Sequence, residues 1–285
     1  MVSNPQTLAR MTLDIRMRGL SENTHNSYIR YTGKFMDYCG KPAGELDESD
    51  ARGYLIHLMQ EGRLDIGTIN MCNAAIRFLF AITLNKTLNY LQLPRFKKHK
   101  TLPTILTREE TQQLIDECVN VKHKAFLLLA YGGGLRVGEI AALRVKDIDS
   151  KSMRIFIRGG KGKKDRYTLL SNECLCTLRE YWLIRRPKSP GGWLFPSADG
   201  YTHITTAGIA DAFNTCVSRV GITKNVSIHC LRHEFATFLL VDGASIFQIK
   251  ELLGHASLNS TAVYLHLANT TAGVVSPADR YVQYD

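Results

Sequence analysis

His229-Cys230-Leu231-Arg232-His233, followed by Leu253-Gly254-His255 and by Tyr264 nine residues further on, is the stretch on which the reading of this chain turns. It gathers bases, a fixed positive charge and a phenol into the last quarter of the sequence. Those groups suit the attack of a tyrosine on a phosphodiester. Further upstream, Gly134-Leu135-Arg136-Val137-Gly138-Glu139 supplies a second arginine, and Gly160-Lys161-Gly162-Lys163 places a lysine in a glycine-rich turn.

Each residue alone says little, because a lone histidine is ordinarily a satisfied polar group and a lone tyrosine a core or surface residue. Lys161, with Lys163 and Lys164 beside it, reads by itself as a solvated turn lysine. The ordered set reads differently. Breaking a phosphodiester without hydrolysing it needs a nucleophile, stabilised nonbridging oxygens, an acid for the leaving 5′ hydroxyl, and exclusion of water. Tyr264 suits the first role, since its phosphoester can be attacked again by a DNA hydroxyl. Arg136 and Arg232 offer permanently charged planar forks to the phosphate, in contacts that strengthen as charge develops. The flexible ammonium of Lys161 can protonate the departing oxygen. His229 and His255 can hydrogen-bond the phosphoryl oxygens, and His229 could also accept the tyrosine proton. The constellation calls for no cofactor and no metal, and no acidic triad of the kind metal-dependent nucleases use stands out.

Composition agrees with a polyanionic partner. The 285 residues carry 36 Lys and Arg against 26 Asp and Glu, a formal charge of +10, and 45% are hydrophobic, enough to bury two cores. Held on one surface, such charge releases counterions from nucleic acid. Seven cysteines, at 39, 72, 118, 174, 176, 216 and 230, form neither a Cys-x-x-Cys pair nor a finger-like spacing, which points to reduced thiols. No secretory pattern opens the chain, and the apolar run 125–131 is too short to span a bilayer, which needs about twenty residues. The expected location is the cytoplasm, in association with the nucleoid, with no membrane partner.

Residues 7–93 read as helical. Ser21 caps a helix carrying Tyr28, Tyr31, Phe35 and Tyr38; Asp47 or Asp50 opens a second that buries Tyr54, Leu55 and Leu58; a third starts near Thr68, and Leu88–Leu91 suits a short fourth. The segment 94–103 has a proline at each end and Arg95, Lys97, Lys98 and Lys100 between them, so it reads as an extended basic linker lying along a phosphate backbone. Thr107 and Glu110 then form a capping box. A helix follows over 123–130, ending near Gly132-Gly133-Gly134, and hands over to another that starts close to Arg136. Alternation over 153–158 and 166–170 about the turn 159–162 predicts a β-hairpin. Further helices are expected at 173–182, 204–220, 231–242, 245–252 and 257–267. The fold class is therefore mainly α with a small β-sheet: a helical domain over 1–93, a basic linker over 94–103, and an α+β domain over 104–285.

On Gly134–Glu139, Gly160–Lys163, His229–His233, Leu253–His255 and Tyr264, the chain resembles the tyrosine recombinase, or phage integrase, family over nearly its whole length. The resemblance implies a SAM-like core-binding domain and a catalytic domain that together clamp duplex DNA. It assigns Arg136, Lys161, His229, Arg232 and His255 to activation, Tyr264 to attack through a 3′-phosphotyrosine, and Glu139 to a supporting position behind the reacting groups. His233 is expected to pack or orient its helix. Glu234 and Phe238 depart from the residues many relatives carry, Thr or Ser and His. Length and layout look like simple integrases and Xer-like resolvases without an arm-binding domain, acting as four protomers on two DNA sites. The residues after Tyr264 suffice for a tail that docks on a neighbour. Type IB topoisomerases share this chemistry, and an inactive DNA-binding scaffold would be expected to lack part of the six-residue set.

Overall fold

The computed structural model describes residues 4–89, 93–97, 104–159 and 165–267. The chain divides into two compact units, residues 1–100 and 101–285.

In the first unit, capping chemistry sets the helix ends. α1 (Asn4–Met17) buries Thr7, Met11 and Ile15 at four-residue spacing. α2 (Glu22–Cys39) starts where the Ser21 hydroxyl accepts the Thr24 amide and stops at Gly40 in the left-handed conformation. α3 (Glu48–Glu61) opens on a reciprocal box between Asp47 and Asp50. α4 (Ile66–Phe78) is capped by Asp65 and runs on as a π-helical turn, Leu79–Thr83. The Thr83 hydroxyl donates to Asp14, 2.8 Å away, and ties that turn to α1. Met11, Ile15, Phe35, Met36, Ile76, Leu79 and Phe80 form the core, each contributing about 1.5–3 kcal/mol by burial. By length and composition the run Ile66–Thr83 could cross a membrane; its Ile69, Cys72, Ile76, Leu79 and Phe80 lie in this core, while Ile66 and Met71 are exposed.

Two features of this unit differ from the sequence expectation. α1 is a helix that the residue pattern does not set apart, because its buried stripe is one residue wide and includes a threonine. Leu88 and Asn89 are not helical. The Asn89 amide donates instead to the Glu48 carboxylate at 2.7 Å, so α3 takes the group a fourth helix would need. Tyr90 and Leu91 lie outside the described residues.

The start of the basic strap is docked. Asn70 on α4 accepts the Phe96 amide and donates to the Phe96 carbonyl, both at 2.9 Å, and Asn73 donates to the Pro94 carbonyl at 3.0 Å. Arg95 and Lys97 flank Phe96 and are exposed. Lys98 and Lys100 lie outside the described residues.

The second unit opens with α5 (Arg108–Asp116), whose Thr107–Glu110 box forms as expected. α6 (Val121–Gly133) buries six consecutive residues, Ala125–Ala130, and so is buried all round. α7 (Val137–Ala141) is followed by a three-stranded antiparallel sheet: β1 (Ile148–Asp149), β2 (Arg154–Ile157) and β3 (Arg166–Leu169), with Ile155 opposite Thr168. The hairpin turn, residues 160–164 with Lys161, lies outside the described residues. The Thr168 hydroxyl donates to the Gly133 carbonyl at 2.7 Å and fixes the sheet to the end of α6. α8 (Asn172–Arg185), α9 (Thr206–Val220), α10 (His229–Val241) and α11 (Ile246–Leu253) complete the unit.

The helix expected over 257–267 is broken. Ser257 caps a 3-10 turn, Leu258–Ser260, and only Val263–Leu267 forms α12. Between them the Thr261 side chain turns inward to His255. The tail expected to dock on a neighbour falls mostly on residues 268–285, outside the described residues.

Candidate active site

The site is built around one carboxylate. Arg136 is the N-cap of α7, and Glu139, three residues on, accepts both its backbone amide at 2.9 Å and its guanidinium at 2.8 Å. Arg166, at the start of β3, holds the same carboxylate at two points, 2.7 and 2.8 Å. Arg232 comes within 3.8 Å of it. Burial pushes the Glu139 carboxyl up, but hydrogen bonds and charge from Arg166, then Arg136, outweigh it and hold the group at about 2. A permanent negative charge thus lies between three arginines and limits their mutual repulsion.

Arg232, on α10, is 4% exposed. Its fork donates to the Gly134 carbonyl and to the Leu253 carbonyl, the latter at 2.8 Å, and it meets His255 Nε2 at 3.3 Å. These contacts aim a group that burial, and then Arg136, bring down to about 10, still charged at neutral pH. Gly134 makes the approach possible. It closes α6 at φ +64°, and a Cβ there would lie 2.5 Å from the ring of Phe235 on α10. Gly254 does the same at φ +62°, where a Cβ would lie 2.8 Å from Arg166 Cδ.

His255 sits between Arg232 and Thr261. Since arginine can only donate, Nε2 accepts, and Nδ1 carries the proton that goes to the Thr261 hydroxyl, 2.9 Å away. Burial, then Arg232 and Arg136, lower this ring to about 4. At neutral pH it therefore steadies Arg232, and donation to a phosphoryl oxygen requires protonation, which an incoming phosphate favours.

Tyr264 is 2% exposed and packs with Phe235, Ala236, Ile249 and Leu253. Its ring stacks at 13° on His255, and its hydroxyl lies 3.1 Å from His233 Nδ1. His229 is the first residue of α10 and is exposed.

Of the expected catalytic set, the structure brings Arg136, Arg232, His255 and Tyr264 together from four separate segments, with His229 on the same helix as Arg232. Lys161 lies outside the described residues. Sequence reading missed Arg166 and Thr261, and gave His233 a role in packing or orienting its helix. A counter-cation for Glu139 was the one available signal for Arg166; nothing local marks Thr261. Among the described residues, no group of three His, Cys, Asp or Glu is placed to hold a metal. Glu234, the departure in the α10 motif, faces away from this cluster: fully buried, it accepts from the Leu106 amide at 2.9 Å and the Thr111 hydroxyl at 2.7 Å.

Comparison with known proteins places this arrangement. Residues 104–271 match the phage integrase family, and residues 7–90 match the phage integrase N-terminal SAM-like domain. The chain belongs to the tyrosine recombinase (phage integrase) family and is a DNA strand-breaking and rejoining enzyme. It is 38% identical over 270 residues to a Sinorhizobium fredii protein named as an integrase/recombinase, covering 94% of this chain and 87% of that one. It is 31% identical over 264 residues to tyrosine recombinase XerA of Pyrococcus horikoshii, covering 92% and 90%. Among solved structures, XerH site-specific recombinase bound to difH substrate in a pre-cleavage complex matches at TM-score 0.69 and 25% identity, over 90% of this chain and 79% of that one.

Proposed function

We propose that this enzyme performs site-specific recombination through a transient 3′-phosphotyrosine on Tyr264. The observation that carries the reading is the convergence of four segments of the chain, with Arg136 and Arg232 on Glu139, His255 against Arg232, and Tyr264 stacked on His255. A phosphate bound there meets two guanidinium forks, whose contacts strengthen as charge grows on the nonbridging oxygens. Tyr264 forms a bond to phosphorus, and the 5′ oxygen leaves with a proton from Lys161. His229 and protonated His255 hydrogen-bond the phosphoryl oxygens. The phosphoester keeps the bond available for resealing to another strand, so no cofactor or metal is needed.

The partner is duplex DNA, in keeping with the charge of +10 and with the DNA-bound XerH relative. Arg95, Lys97, Lys98 and Lys100 run along its backbone, and four protomers assemble on two sites, as exchange of two duplexes requires. The place of action is the cytoplasm, on the nucleoid.

Suicide-substrate trapping tests the nucleophile. Wild type is expected to form a covalent protein–DNA adduct, and Tyr264→Phe to bind DNA equally well without one. An adduct in the Phe variant would show that Tyr264 is the wrong residue. A two-site assay tests the outcome: joined products from both duplexes support recombination, whereas relaxation of supercoils without exchange means a topoisomerase.

A further inference from the structure

We propose that His233 takes the phenolic proton of Tyr264 as the tyrosine attacks and returns it as the strand is resealed. This rests on Tyr264 being the nucleophile.

The geometry is direct. His233 follows Arg232 on α10, its ring centroid is 5.7 Å from that of Tyr264, and its Nδ1 lies 3.1 Å from the hydroxyl. A phenol that is 2% exposed has little water to receive its proton, so the proton passes to protein. His233 is the hydrogen-bond partner the structure gives that hydroxyl. His229 stands one turn earlier, exposed at the start of α10 and open to the phosphate.

The electrostatics agree with the geometry. Burial raises the Tyr264 phenol above its ordinary value, against the pull of Arg232 and Arg136, so the resting tyrosine keeps its proton. Burial, then His229 and Arg232, lower His233, which leaves its ring neutral at neutral pH. With Nδ1 accepting from the phenol, Nε2 carries the ring proton. Among the described residues, the charged and titratable groups that act on the pair are His229 and Arg232 on α10, Arg136 at the cap of α7, and His255 beyond α11. The cationic ring formed during attack is met by the negative charge gained by the phosphoryl group.

The step balances. The Tyr264 oxygen–phosphorus bond forms and the phosphorus–O5′ bond breaks. The phenolic proton moves to His233 Nδ1, and O5′ takes a proton from the acid on its own side, the role given to Lys161. In resealing, the attacking 5′ hydroxyl gives its proton to the conjugate base of that acid, and the His233 imidazolium reprotonates the leaving phenol.

Single-turnover adduct formation on a suicide duplex, measured from pH 5 to pH 9, tests this. In wild type the acid limb should rise through a pKa below the ordinary histidine value, ahead of any alkaline fall as His255 and Lys161 lose their protons. His233→Asn keeps an acceptor near the Nδ1 position but cannot carry the proton away. It should bind DNA normally, form adduct about a hundredfold or more slowly, and lose the acid limb. His233→Ala should recover part of the rate with added imidazole. A His233→Asn rate within about threefold of wild type, or an acid limb that persists there and vanishes in His229→Gln, overturns the proposal. A further arm leaves His233 in place: with difluorotyrosine at position 264, the acid limb should stay where it is, and a limb that follows the more acidic phenol means no histidine is involved. Absence of adduct in wild type, or its presence in Tyr264→Phe, strikes the nucleophile assignment instead.

Discussion

Arg166 and Glu139 meet in a two-point ion pair, at 2.7 and 2.8 Å, with side chains only 8% and 9% exposed. The pair joins β3 to α7, and Arg166 Nε reaches further, to the Leu252 carbonyl of α11 at 2.8 Å. One guanidinium therefore couples the hairpin, the Arg136 turn and the segment leading to His255.

Breaking a buried pair on one side leaves the other charge uncompensated, at a cost of about 3–5 kcal/mol. Arg166→Ala should lose stability of that order in urea unfolding, and Arg166→Lys, which keeps the charge but not the fork, should lose less. Cleavage should fall in both, because Arg136 and His255 lose their common brace. Unchanged stability in Arg166→Ala would mean the pair is open in solution.

Arg136→Lys and Arg232→Lys should each slow cleavage by about a hundredfold or more while changing DNA affinity far less. The two should part in stability. Arg232 is tied to the carbonyls of Gly134 and Leu253, whereas the Arg136 side chain is 23% exposed, so urea unfolding should shift more for Arg232→Lys. Equal losses in binding and cleavage would make these arginines ordinary phosphate anchors.

Acid should act through His255. Its ring is held at about 4 in the native protein against 6.5 ordinarily, so the native form is neutral. As pH falls from 6.5 to 4, the unfolded chain binds a proton that the native protein does not, and stability declines by about 1 kcal/mol once solvent screening of this half-buried ring is allowed for, the His255 contribution levelling off below that window. Glu139 acts with the same sign in a lower window: its folded value is also lowered, so its contribution is complete above 4.5 and is lost as pH falls toward 2. Urea unfolding at intervals from pH 7 to pH 4 should show a shallower decline in His255→Gln than in wild type. Parallel curves would place His255 in water.

Replacing Lys97, Lys98 and Lys100 with alanine should weaken binding to all DNA sequences and flatten the salt dependence by up to about three units of slope, with cleavage at saturating DNA nearly unchanged. Asn70→Ala, which frees Phe96 from α4, should weaken binding with the slope retained, since the charges remain. Wild-type affinity and slope in the lysine variant would make the strap a plain connector.

The sequence by itself determined the local elements and the reacting types. Ser21, Asp47 and Thr107 mark helix starts because a side-chain oxygen three residues before a free amide is enough to cap it, and the β2–β3 hairpin follows from alternation over a few residues. The residues proposed for catalysis were legible because each lies in a short ordered motif. The tertiary structure decided what those motifs share. Arg166 reads as an ordinary strand cation until β3 packs beside α7, and Thr261 as a helical residue until its hydroxyl meets His255 and interrupts the last helix. His233 and Tyr264 are 31 residues apart, and their hydrogen bond exists only because α12 folds back on α10. Capping and alternation act within a few residues and can be read along the chain. Burial, charge balance around Glu139 and the direction of a proton depend on distances in space, which only the packed chain fixes.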